Sequence, residues 1–457
     1  METGNKRVLL VAYQFPPVGG AGVQRVAKFT KYLPEHGWEV SVLTVSNPSV
    51  PVVDQSLVEE IPPQTVIRHA KSLEPDYRLK QTLAPPGTAA GKGGGWKSRV
   101  KRTVRSAAAM VLLPDPQILW APQAIRQGRR LLRELPHDAI LVSGPPFSSF
   151  LVGTALRRHS GLPLVLDYRD EWTISNQYWE NKARNPLIDR IQRRLQKHVL
   201  RRADAVLATT QRSARTLDQE ARDAGRPVSV HCLYNGFDPA DLPADFASDS
   251  AAAGQRFRLS HVGTLWNLTT ARPLVEAVEL LAGRSPELAA RLDVEIVGRC
   301  TQAEQALLQR LEPLPCRLLR QDYVDHRVAV QVMRNASELC LLLADVPGAE
   351  RVLPGKTFEY LATGREILAI APQGEMQEVL SGFAGVSQCS PRDVPGICEH
   401  LAQRLAAAAP PRSHPRVLGC YDRRQQAGQL ADTLNEVSAA VPARHRLTPE
   451  PTPSRAD

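Results

Sequence analysis

The sequence has no Cys-x-x-Cys pair, and its seven cysteines all lie from Cys232 onward. That excludes a disulfide framework and a zinc ribbon, and it fits free thiols in a reducing cytosol. Aromatic residues make up only 5%. With no zinc-finger, RNA-recognition or basic-zipper pattern, nucleic acid is not the expected partner. No apolar run approaches the ~18 residues that cross a bilayer. The opening METGNKRVLL enters a strand without a signal-peptide apolar region. There is no Asp-x-Asp triplet, so a carboxylate pair clasping a metal-bound diphosphate is not indicated. Gly-x-Gly-x-x-Gly and Gly-x-Ser-x-Gly are missing too, which argues against a dinucleotide fold and a hydrolase elbow. No repeat of solenoid period occurs.

What is present is an ordinary globular composition. The chain has 457 residues, 43% hydrophobic and 23% charged, which predicts two or three domains. A net charge of +10 invites an anionic partner. Strand-like and helix-like segments alternate. RVLLVAY, WEVSVLTV, AILVSG, LPLVLDY and ADAVLATT read as strands of a parallel sheet. Between the first two, Val23, Val26, Phe29 and Leu33 form a helical stripe that stops at Gly37. LYNGFDPADLPADFASDSAAAGQ then reads as a linker. The alternation restarts with RLSHVGTLW, ARPLVEAVELLAGR, DVEIVGR and LCLLLAD. The expectation is an α/β protein with a cleft between two halves: an N-terminal domain over 1–238, a linker over 239–256 and a C-terminal domain over 257–410. A disordered Pro-rich tail covers 441–457.

Four stretches carry candidate chemistry. FPPVGGAGVQR joins the first strand to the first helix; its glycines admit a ligand to the backbone, or simply form a tight turn. In VLDYRDEW, Asp167 and Asp170 lie where ligands bind in open α/β sheets, and either could hold a hydroxyl, take a proton or cap the next helix. The segment from 91 to 114 has no acidic residue and gathers Lys92, Lys97, Arg99, Lys101, Arg102 and Arg105 around Trp96. It suits an anionic membrane surface or a solvated helix equally. Finally, VLPGKTFEYLATG places Lys356 and Glu359 three apart, at a helix start that itself attracts phosphate. A cation there fits a diphosphate, and a carboxylate one turn in fits two ribose hydroxyls. A plain intrahelical ion pair is the rival reading.

Taken in order, these stretches resemble the GT-B glycosyltransferases, most closely those of family 4. RVLLVAYQFPPVGGAGVQRV is similar to that family's opening, LDYRDEW to its acceptor-side acidic motif, SHVGTLWNLTTARPLVEAVELL to the start of its donor domain, and PGKTFEYLATGREILA to its donor helix. The resemblance implies two Rossmann-like domains facing a cleft, last helices over 411–440 that return to the first domain, a UDP- or GDP-type sugar as donor and no cofactor or essential metal. It implies that Gly263, Thr264, Arg272, Val324, Lys356 and Glu359 bind the donor. Gly19, Gly20 and Gly22 would form the acceptor and diphosphate loop, and Asp170 with Lys356 would serve catalysis. The implied activity is retaining transfer of a sugar to a sugar or lipid-linked acceptor in cell-surface polysaccharide or glycolipid synthesis. The implied place is the cytoplasm or the inner face of the plasma membrane, through residues 92–112. An NDP-sugar epimerase of the same fold and a non-catalytic nucleotide-binding subunit are the alternatives. The family often has a glutamate eight residues before the ribose-binding one; here that position is Arg351.

Overall fold

The computed structural model describes residues 5–49, 53–74, 112–178, 186–242, 256–407, 414 and 416–440. Residues 92–111 of the basic stretch, 243–255 of the linker and the 441–457 tail lie outside them. No described helix is long and apolar enough to cross a membrane.

Thirteen described strands form two parallel sheets. β1 (Lys6–Val11), β2 (Trp38–Val45), β3 (Val66–Ala70), β4 (Ala139–Gly144), β5 (Leu164–Tyr168), β6 (Ala205–Ala208) and β7 (Ser229–Cys232) build the first. Its order is β3-β2-β1-β4-β5-β6-β7. β8 (Phe257–Val262), β9 (Leu292–Val297), β10 (Arg317–Gln321), β11 (Glu338–Leu342), β12 (Ile367–Ile370) and β13 (Val386–Cys389) build the second. Its order is β10-β9-β8-β11-β12-β13.

The central strands are apolar because helices cover both faces. Every residue of β4, β5, β9, β11 and β12 is buried. Each sheet reverses its strand order once, between β1 and β4 in the first and between β8 and β11 in the second. Ligands bind outside the carboxyl ends of the strands at such points.

The Ala21–Tyr32 helix follows Gly20, whose φ of +108° favours glycine. Its Val23, Val26 and Phe29 pack into one face of the first sheet. The Arg423–Ala439 helix packs there as well, through Ala427, Leu430, Ala431, Leu434 and Val437. The chain's last described helix therefore leans on its first domain.

Candidate active site

On the first sheet the glycine loop follows β1. Its neighbour in space is Arg169, just past β5. A Cβ on Gly22 would stand 2.7 Å from Arg169 Nη1, so only glycine leaves room for that guanidinium. Arg169 is buried and donates to Gly22 O, to Pro145 O and, at 3.1 Å, to Gln14 Oε1. It thereby fastens the loops after β1, β4 and β5 to one another. Asp167 does not face the cleft. It is 1% exposed and held by Arg25, with contacts of 2.9 to 3.2 Å, and by the Ser143 hydroxyl at 2.8 Å. Asp170 is exposed, yet protein crowds around it. The crowding raises its carboxyl pKa and Asp167 adds to this, while Arg169 opposes it.

On the second sheet Gly263 and Thr264 follow β8. Gly298, at φ +136°, is pressed so close that a Cβ would lie 2.2 Å from Gly263 O. Arg272 opens the Arg272–Arg284 helix, exposed, with Glu276 at 3.7 Å. Glu304 already serves that helix start, accepting from Ala271 N and Thr270 Oγ1 at 2.8 Å each. The loop after β11 reaches across to it, with Ala344 N donating to Leu268 O at 2.8 Å. That loop ends in Pro354 and Gly355, and the Lys356–Thr363 helix begins.

Lys356 and Glu359 meet directly. Lys356 Nζ lies 2.6 Å from Glu359 Oε2, and His326 Nε2 lies 3.2 Å from the same oxygen. Burial of Glu359 would raise its pKa, but Lys356 and His326 outweigh that and hold it far below the usual carboxylate range. The carboxylate is ionised at neutral pH although its side chain is only 8% exposed. Val324 is half-buried two residues before His326. A cavity beside the cluster is lined by Lys28, Asp238, Asp241, His326, Glu359 and Arg423, among others. Burial lowers the pKa of the Arg423 guanidinium to about 9.

One carboxylate trio, Glu60, Asp238 and Asp241, has the spacing of metal ligands. An ammonium already occupies it. Lys28 Nζ lies 2.8 Å from Asp238 and 2.7 Å from Asp241 and contacts Glu60, and Lys31 lies 3.0 Å from Asp238.

The structure brings Lys356 and Glu359 into contact, and Val262 N, just before Gly263 and Thr264, donates to Tyr360 OH of the same helix at 2.6 Å, while Arg272 opens the helix that follows. Gly19, Gly20, Gly22 and Asp170 belong to the opposite sheet. Four functional candidates escape local sequence reasoning because their partners are distant in the chain. Arg351 Nε pairs with Glu171 at 2.9 Å across the cleft, and Ser213 Oγ donates to Glu171 at 2.6 Å. Glu375 accepts from Gln211 N and Arg212 N, at 2.8 and 3.1 Å, and from Tyr234 OH at 2.5 Å. It thus caps the Gln211–Asp223 helix of the first domain from the second. His326 is the fourth; its place two residues after Val324 was the available signal.

Glu220 sits behind the Arg351–Glu171 pair. Burial first, then Glu171, pushes its pKa up to about 7, with Arg351 opposing. A raised carboxylate pKa favours the fold at low pH and costs stability as pH rises from about 4.3, the unfolded value, through 7. Glu220→Gln therefore raises the melting temperature at pH 8 and leaves it nearly unchanged at pH 4. An equal gain at both pH values would contradict this.

Comparisons with known proteins agree with this architecture. Residues 19–236 match the model of the glycosyl transferase 4-like domain. HepE of Anabaena, solved with UDP and glucose, superposes with a TM-score of 0.58 at 14% identity, over 94% of this chain and 100% of that one. The α,α-trehalose 6-phosphate synthase of Burkholderia multivorans gives 0.60 at 13% identity, over 96% and 100%. At such identities the likeness shows the fold. No curated protein matches in sequence. The chain carries a glycosyl transferase 4-like domain over residues 19–236, and over nearly its whole length it shares the fold of these solved proteins.

Proposed function

We propose that this protein moves a sugar from a nucleoside diphosphate to an acceptor hydroxyl, with retention at the anomeric carbon and without a metal. The observation that carries this is the Lys356–Glu359 pair. It is a cation and an ionised, nearly buried carboxylate at the start of a helix at the switch point of the second sheet. Lys356 and the positive end of that helix dipole stabilise the charge that develops on the departing diphosphate. Arg272 adds charge from the neighbouring loop, Gly263 and Thr264 let the phosphates approach, and Val324 flanks the base. Glu359 accepts hydrogen bonds from ribose. The anomeric C–O bond to diphosphate breaks, a bond to the acceptor oxygen forms, and the acceptor proton leaves to a diphosphate oxygen or a nearby base. Asp170 and the loop of Gly19, Gly20 and Gly22 face this event from the acceptor side. HepE, which shares the fold, has been solved with UDP-glucose, which supports a UDP-type donor; a GDP-type donor fits the same contacts.

The acceptor is a sugar or lipid-linked saccharide of cell-surface polysaccharide or glycolipid synthesis. The protein works in the cytoplasm, at the inner face of the plasma membrane, through the basic stretch 92–112. One feature favours a second reading. Arg351 stands where a sugar-binding glutamate is expected and is bound to Glu171, which suits a subunit that binds nucleotide without turnover.

Thermal unfolding with UDP, GDP, ADP and their sugar conjugates tests the donor site. A ligand at about 100 times its Kd stabilises the fold by about 2.7 kcal/mol. One nucleotide series should raise the melting temperature well above the others. No shift with any of them would overturn the proposal.

A further inference from the structure

Both side-chain contacts of Glu359 fall on one oxygen, Oε2, with Lys356 at 2.6 Å and His326 at 3.2 Å. Among the described residues nothing hydrogen-bonds to Oε1. His326 is 8% exposed and is the first residue of the His326–Asn335 helix. Its ring is wedged between two carboxylates. Nε2 faces Glu359, and Nδ1 lies 3.8 Å from Oδ2 of Asp241 in the interdomain linker. Asp241 is itself fixed by Lys28 at 2.7 Å, and the backbone N–H of His326 points to Asp54 Oδ2 at 3.4 Å. The imidazole thus sits between two carboxylates on a buried helix start and has less freedom than a lysine to follow a rotation of the Glu359 carboxylate. Lys356, on a four-carbon stem, could follow it.

We propose that His326 is a positioning residue: by fixing Oε2 of Glu359 it presents Oε1 to a ribose hydroxyl, and so sets a preference for ribonucleotides over deoxyribonucleotides. This rests on the donor-site reading above, in which Glu359 meets ribose. A carboxylate tethered at one oxygen offers the other in a single orientation. A carboxylate tied only to a flexible ammonium offers either oxygen in several. A site built around a hydroxyl rejects the analogue that lacks it, because the buried acceptor is then left unpaired.

Two variants separate the role from mere packing. His326→Gln keeps a donor near the position of Nε2. His326→Asn keeps one near Nδ1 and withdraws it from Glu359. Affinities for UDP, GDP and their 2′-deoxy and 3′-deoxy counterparts are measured by calorimetry on the full chain, with thermal transitions confirming that each variant folds. The wild type should prefer one ribonucleotide over its deoxy form by about tenfold or more, as expected for a hydrogen bond to a charged group. His326→Asn should reduce that preference to about threefold or less while leaving the deoxynucleotide affinity within about twofold of wild type. His326→Gln should retain most of the preference. An undiminished preference in His326→Asn would overturn the proposal, as would equal losses for ribo and deoxy ligands or a His326→Gln variant as impaired as His326→Asn. A wild type that binds nucleotide without ribose preference would overturn it by removing the ribose role of Glu359. A wild type that binds no nucleotide would remove the donor reading itself.

Discussion

Replacing Lys356 by alanine weakens nucleoside diphosphate binding by about thirtyfold, which titration calorimetry would read directly. The figure is that of one charge-assisted hydrogen bond, about 2 kcal/mol, at 1.4 kcal/mol per tenfold. Lys356 is the only residue in the Lys356–Thr363 helix that brings a full positive charge to its start. Unchanged affinity would refute its placement at the diphosphate. The variant has a second, pH-dependent signature. Glu359 has its pKa depressed in the folded state, so it contributes stability above the unfolded value of about 4.3 and loses it as pH falls towards the folded value. Burial opposes this depression, and the charge of Lys356 is the largest single effect that overcomes it, with His326 adding to it. The melting temperature of Lys356→Ala should therefore fall most at neutral pH, and the deficit should shrink below about pH 4. A deficit that grows on acidification would mean that the pair does not hold Glu359 ionised.

Arg25→Ala should cost about 3–5 kcal/mol of stability in urea unfolding, because it strands a buried carboxylate. Arg25 and Asp167 have side chains 0% and 1% exposed. Arg25 also donates to Tyr234 O at 2.8 Å, tying the end of β5 to the chain just after β7. Removing both charges together is expected to hurt less than removing one. Arg25→Met combined with Asp167→Leu should recover most of the loss, since apolar replacement of a buried ion pair is often neutral. A cost below about 1 kcal/mol for the single variant would show that the pair is not sealed from water.

The sequence announces the inner strands and hides the outer ones. β1, β4, β5, β6, β11 and β12 each contain an apolar run of three or more residues, because helices cover them on both faces, while β2, β8 and β9 place apolar residues at alternate positions. β3, β7, β10 and β13 do not, and these four are the two edges of each sheet. VIRHA and RLLRQ carry charge or exposed residues because one flank meets solvent. The ion pair of Lys356 with Glu359 is legible from its i, i+3 spacing. The partners that matter most for geometry are not legible, since each arrives from far along the chain. Glu171 meets Arg351 across 180 positions and Arg25 meets Asp167 across 142. The unexpected arginine eight residues before Glu359 gains a physical reason only in three dimensions, where it bridges the two domains. Arg169 likewise explains Gly22, whose missing side chain makes space for it.

Release of nucleoside diphosphate from a panel of UDP- and GDP-sugars, followed with and without a membrane lipid extract, tests the central claim most directly. A glycosyltransferase releases the diphosphate from one donor, and release accelerates when the acceptor-bearing extract is present. Release indifferent to acceptor would point to an epimerase, and the absence of release from every donor under either condition would contradict the assignment of a sugar-transfer reaction to this cleft.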